Sequence, residues 1–150
     1  MQESKPVPLN AAASVHRVVP FAHVVEVDRS LAFYALLGFE VENVLRDGDG
    51  SAFWAMVKSG TGEMMFARAS GVVEASEQAV LFYMYSGDVA GLRARLLERG
   101  VVNGGGFHGN RVPTQASGVV FEVSRPSHMP AGELRVHDPD GYVILLGQLG

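Results

Sequence analysis

The sequence has no cysteine, which excludes disulfides, thiolate nucleophiles, iron–sulfur clusters and cysteine-held zinc. No stretch approaches the roughly 18 apolar residues that a membrane-spanning helix needs. The opening MQESKPVPLNAAAS lacks the basic start and apolar run of a secretory signal, so a cytoplasmic protein without membrane attachment is expected. Positive charge is thin: twelve Lys and Arg, scattered, against sixteen Asp and Glu give a formal net charge of −4. Without a basic run the chain has nothing to track a nucleic-acid backbone, while an acidic balance is compatible with a cationic small ligand. The five histidines show no HxH or HExxH spacing, and nothing links a serine to a histidine and an aspartate. The glycines at 104–106 are not followed by the Gly-Lys-Ser/Thr of a phosphate loop.

What is present is an ordinary globular composition, 47% hydrophobic and 19% charged over 150 residues, enough for one domain with its own core. Residues 1–14 read as a flexible leader, and 15–150 as a single domain. RVVPFAHVVEV (17–27) is β-branched and apolar, and DRSLAFYALLG (28–38) reads as a helix with Asp28 as its cap and Gly38 as its stop. FEVENVLR (39–46), SAFWAMVK (51–58) and EMMFARA (63–69), separated by Gly- and Asp-containing turns, read as an antiparallel meander. The order then recurs: strand 79–86, helix 88–100 capped by Asp88, and strands 118–124, 133–138 and 142–148. The Gly-rich stretch 101–117 reads as a loop over a pocket. The expected fold class is α+β: two βαβββ repeats, about 17–70 and 79–149, forming a curved, mostly antiparallel sheet around a concave cleft, helices outside. Such clefts bind small molecules.

VEVDRSLAFYALLGFEV (25–41) and DPDGYVILLGQ (138–148), with the repeat between them, resemble the vicinal oxygen chelate superfamily of glyoxalases, extradiol dioxygenases and bleomycin-resistance proteins. The two residues between FY and LG in the first helix, Ala35 and Leu36, are similar to the spacing in the bleomycin-resistance branch. The resemblance places the superfamily's four metal-ligand positions at Val19, at Met65 or Glu63, at Ala79 or Leu81, and at Leu145. Three of these positions, and all four if the second is Met65, carry alkyl or thioether side chains, which offer no imidazole or carboxylate to a divalent ion. The implied function is therefore metal-independent binding of a small organic molecule without a cofactor, with antibiotic sequestration as its specific form. The resemblance also implies a homodimer, with the leader available as an exchanged arm.

The candidate ligand-binding residues are His23, Trp54, Glu63, Met65, Tyr83, Tyr85, His108 and Arg111. His23 shares a face with Val19 by period two. Trp54 is either core packing, the first reading, or a stacking platform for a planar ligand. Tyr83 and Tyr85 share a face with Leu81 and read as cleft-lining. Met56, Met64, Met65 and Met84 read first as core fillers, although the same thioethers suit an adaptable pocket. Glu63 and Glu122 read first as solvated strand-face carboxylates, with Glu63 a partner for a cation if it enters the cleft. His108 and Arg111 lie in the Gly-rich stretch, where binding residues often sit. His137 reads as structural beside the DPDG turn. The competing readings are a metal-dependent lyase, isomerase or dioxygenase using His23, Glu63 and Glu122, and a regulatory interaction module.

Overall fold

Short β-branched and aromatic runs punctuated by glycine turns become nine strands in the computed structural model, which describes residues 12–109 and 116–150. The first eleven residues of the expected leader, and Arg111, lie outside the described residues. Strand β1 (Phe21–Val24) leads into helix α1 (Val27–Leu36), followed by β2 (Glu40–Arg46), β3 (Ala52–Ser59) and β4 (Gly62–Arg68). Gly38, with φ +98°, takes the left-handed conformation that ends α1. The meander folds back so that β4 lies parallel to β1, giving the order β1-β4-β3-β2.

The second half runs β5 (Phe82–Tyr85), α2 (Val89–Glu98), β6 (Val102–Gly105), β7 (Val119–Phe121), β8 (Glu133–His137) and β9 (Val143–Gly147). Its order is β5-β9-β8-β7-β6. The α+β architecture of two repeated units stands, with its sheet divided into a four-stranded and a five-stranded part. Each part is mixed, because β1 pairs with β4, β5 with β9 and β6 with β7 in parallel.

Three local expectations are corrected. The stretch 101–117 is not all loop, since Val102–Gly105 forms a strand beside β7. Glycine permits it: a Cβ on Gly104 would meet the Phe121 ring at 2.7 Å. Asp28 does not cap α1. The cap position is Glu26, without a side-chain bond, and Asp28 sits inside the first turn, accepting from the Ala52 N–H and from Arg46. Asp88 does cap α2, accepting from the Gly91 N–H at 2.9 Å. Trp54 is not core: a bulge pairs Leu45 with Trp54 but Arg46 with Ala52, so Ala52 and Ala55 face inward and Trp54 outward.

Alternation sets the two faces of each sheet. Ala22, Val24, Ala55, Val57, Met64 and Phe66 from the first sheet join Val120, Leu134, Val136, Ile144 and Leu146 from the second in one continuous core, with Tyr34 and Leu96 from the helices. The DPDG turn ties the halves together. Asp138 accepts the Tyr34 hydroxyl at 2.8 Å with one carboxylate oxygen. Its other oxygen takes the N–H groups of Asp140, Gly141 and Tyr142. Asp140 in turn accepts from the Val25 N–H and from Arg29. Three buried atoms nearby, Ser30 Oγ, Arg29 Nε and Asp140 Oδ2, have no hydrogen-bond partner among the described residues.

Candidate functional site

Because one face of each sheet enters the core, the side chains on the opposite faces are left open. Strand register arranges them in rows. On the first sheet, His23, Ala67, Trp54 and Leu45 form one row across β1, β4, β3 and β2. Phe21, Met65, Met56 and Asn43 form the next. Met56 and Met65 thus depart from the core reading and floor an accessible apolar surface, whereas Met64 is buried and Met84 packs partly on the core.

Glu63 lies one row further, opposite Lys58. Both of its oxygens are taken by the Arg17 guanidinium, through Nε at 2.9 Å and through the terminal nitrogen. It is an ion-paired carboxylate, not one waiting for a cation. Glu63 and His23 are also far apart: four residues of β4 separate Glu63 from Ala67, the register partner of His23, about 13 Å along a strand. Glu122, exposed at the end of β7, faces Gly106 and His108.

On the second sheet, Tyr83, Leu145 and Arg135 form a row across β5, β9 and β8, and Tyr85, Gly147 and Glu133 the next. Tyr83 and Tyr85 are 41% and 65% exposed, with ring centroids 5.4 Å apart. Tyr83 donates to Glu133 Oε2 at 2.8 Å, and His128 Nε2 lies 2.9 Å from the same oxygen. Gly147 makes this reach possible, because a Cβ there would meet the Tyr83 hydroxyl oxygen at 2.7 Å. Partial burial, then the Glu133 carboxylate, push the Tyr83 phenol up to about 12.

Arg135 stacks on Phe107, its guanidinium carbon 3.8 Å from the ring centroid. Its Nε–H donates to His137 Nε2 at 3.1 Å, which fixes the imidazole with its proton on the other nitrogen. Phe107 and Phe121 pack edge-on against His137. Burial and then the adjacent Arg135 push His137 down to about 4, so it is neutral at ordinary pH.

The expected site residues therefore do not share one cleft within a single chain. Glu63, Tyr83 and Tyr85 meet around a depression of about 640 Å³ floored by Leu37, Phe39 and Met84. His23 lines another, of about 460 Å³, with Phe21, Glu74, Gln78 and Tyr142. Trp54 lies in a third with Leu45, Phe53 and Ala67. His108 is exposed in the segment after β6. Of the four positions that the resemblance assigns to metal ligands, Leu145 stands in the Tyr83–Arg135 row, while Val19 precedes β1. Hydrocarbon at these positions does not fit a metal site.

Glu133, Arg135 and Phe107 were not among the expected site residues. The alternation ELRVH could have placed the first two opposite the buried Leu134 and Val136. Phe107 had no such signal.

No family model matches the chain, and no curated protein matches its sequence. Solved structures do. The bleomycin-binding protein from bleomycin-producing Streptomyces verticillus, complexed with copper(II)-bleomycin, is 18% identical with a TM-score of 0.64, covering 92% of this chain and 99% of that one. TnmS3, an antibiotic binding protein from Streptomyces sp. CB03234, is 20% identical with a TM-score of 0.55 over 92% of this chain and 98% of that one. A glyoxalase-related enzyme from Clostridium phytofermentans is 12% identical with a TM-score of 0.61 over 93% and 98%. With this likeness across nearly its whole length, the chain has the fold of the vicinal oxygen chelate superfamily.

Proposed function

We propose that the protein binds a small organic molecule without a metal, as a sequestering protein for an antibiotic of the bleomycin type. The observation that carries this reading is the open face of the first sheet: Phe21, Met65, Met56 and Trp54 are adjacent, apolar and outside the core. Aromatic and thioether surface gives affinity through stacking and apolar burial. Similarity to a bleomycin-binding protein complexed with copper(II)-bleomycin and to an antibiotic binding protein supports the same ligand class. Val19 and Leu145 at superfamily ligand positions support metal independence. Phe21, Leu45 and Tyr85, all exposed on the same open faces, support a homodimer in which each open sheet face is covered by the partner chain.

Calorimetric titration with metal-free and copper-loaded bleomycin tests the reading. The expected result is saturable binding, unchanged by chelator, with Trp54→Ala weakening it by roughly tenfold, the loss of one aromatic contact. Near-stoichiometric Zn, Mn, Fe or Ni in protein purified without chelator, with turnover of an added substrate, would sink it. Light scattering tests the pairing: a mass of one chain at micromolar concentration contradicts the dimer.

A further inference from the structure

The open face of the second sheet carries a half-buried cation, Arg135, whose charge is not neutralised. Arg135 is half-buried, with its Nε committed to His137 and its plane to Phe107. Among the described residues neither of its terminal nitrogens has a hydrogen-bond acceptor, and no carboxylate lies within ion-pair distance. The neighbouring acid, Glu133, is occupied by the Tyr83 hydroxyl and His128. Removing a guanidinium from water without an anion is unfavourable. The ring contact and the single bond to His137 hold the group in one orientation beside Phe107, and Leu145 and Tyr83 continue the row across β9 and β5. A planar fork with two free N–H directions matches a carboxylate or another oxyanion held at both oxygens.

We infer that Arg135 receives the anionic group, a carboxylate, of the small molecule bound on this face, with Tyr83, Leu145 and Phe107 contacting its apolar body. The inference rests on the small-molecule reading above and narrows it to anionic ligands at this sheet. It reverses the expectation from net charge: the chain is acidic overall, yet the available charge on this face is positive. A purely structural Arg135 would need only its two existing contacts and would show no preference among ligands.

The test compares 2-naphthoate with 2-naphthamide, which has the same shape and no charge, by equilibrium dialysis against the full chain. The wild type is expected to bind naphthoate roughly ten- to a hundredfold more tightly, the range of a charge-assisted hydrogen-bond pair. Arg135→Gln should equalise the two without changing naphthamide binding, and Arg135→Lys should keep only part of the preference because it keeps charge but loses the fork. The wild-type comparison needs no variant, so a folding defect in Arg135→Gln does not shield the inference. Equal affinities in the wild type, or a preference retained in Arg135→Gln, overturn the anion assignment and leave small-molecule binding standing. Failure of both compounds to bind at millimolar concentration overturns the inference and counts against the small-molecule reading of this face. Loss of the dimer in Arg135→Gln, with no naphthoate preference in the wild type, assigns the guanidinium to a partner's carboxylate and overturns it too.

Discussion

The Tyr34 hydroxyl donates a 2.8 Å hydrogen bond to Asp138 across 104 residues of sequence, joining the first helix to the last turn. Tyr34 is fully buried, in ring contact with Phe33, Phe39 and Phe66. Burial, and the negative charge of Asp138, raise its phenol well above the ordinary range, so it stays a donor. Tyr34→Phe keeps the ring packing and leaves one Asp138 oxygen without its donor. The expected loss is about 1–3 kcal/mol of unfolding free energy, the cost of a buried group left unpaired, measured by urea denaturation. A loss below a few tenths of a kcal/mol would mean that the bond does not join the halves.

Two adjacent residues give opposite acid responses. His137 is held near pKa 4, below its ordinary 6.5, so as pH falls through that interval the unfolded chain takes up the proton first and stability drops. Asp138 is raised by burial from 3.8 to about 6, against the pull of Tyr34 and the backbone donors. There the folded chain takes the proton first, and stability rises as pH falls from about 6 to 4. The two partly cancel. His137→Gln removes only the first, so its deficit relative to wild type should shrink by up to about 3 kcal/mol between pH 7 and 4, at about 1.4 kcal/mol for each pH unit separating the folded and unfolded values. A pH-independent difference between the two proteins would show that His137 titrates normally in the folded state.

Gly147 is the passage through which Tyr83 reaches Glu133. A methyl group there would meet the Tyr83 oxygen at 2.7 Å and Met129 Cε at 2.8 Å. Its backbone is not among the left-handed glycines, so alanine carries no conformational strain. Gly147→Ala should therefore displace the phenol and lower its pKa from about 12 toward 10, read by ultraviolet titration of the tyrosines with Tyr83→Phe as the reference. An unchanged titration curve would mean that Tyr83 has another route to its partner.

These relationships show what is legible in the sequence. Turn glycines and alternation are local signals, and they locate both helices and eight of the strands near their observed positions. Strand β6 is hidden because three of its four residues, Asn103, Gly104 and Gly105, are poor strand formers, and Phe121 packs over Gly104 where a Cβ would not fit. The face of Trp54 is hard to read because the bulge beside it puts Ala52 and Ala55, three residues apart, on the same buried face, and a bulge leaves no mark in composition. Glu63 is legible as a carboxylate but not as the partner of Arg17, which precedes the first strand by sequence and meets it only through the parallel pairing of β1 and β4. Arg135 needs both the alternation of β8 and a ring from residue 107, and only the first is local.

Leu145 is the residue at which superfamily metal enzymes are expected to carry a carboxylate, and here it is the cross-strand partner of Arg135. Placing a carboxylate here tests whether metal or guanidinium governs this face. In Leu145→Glu the new acid lies directly across from Arg135 on the same open face, at the separation where opposite charges on neighbouring strands pair. The nearest imidazole on that face, His137, has its Nε2 taken by Arg135, and the nearest carboxylate, Glu133, is taken by Tyr83 and His128. The variant is therefore expected to bind no additional Zn or Mn by equilibrium dialysis. It should lose the preference for naphthoate over naphthamide, since the fork is already filled. A gain of one metal per chain would show instead that other side chains on this face complete a metal site around the new carboxylate.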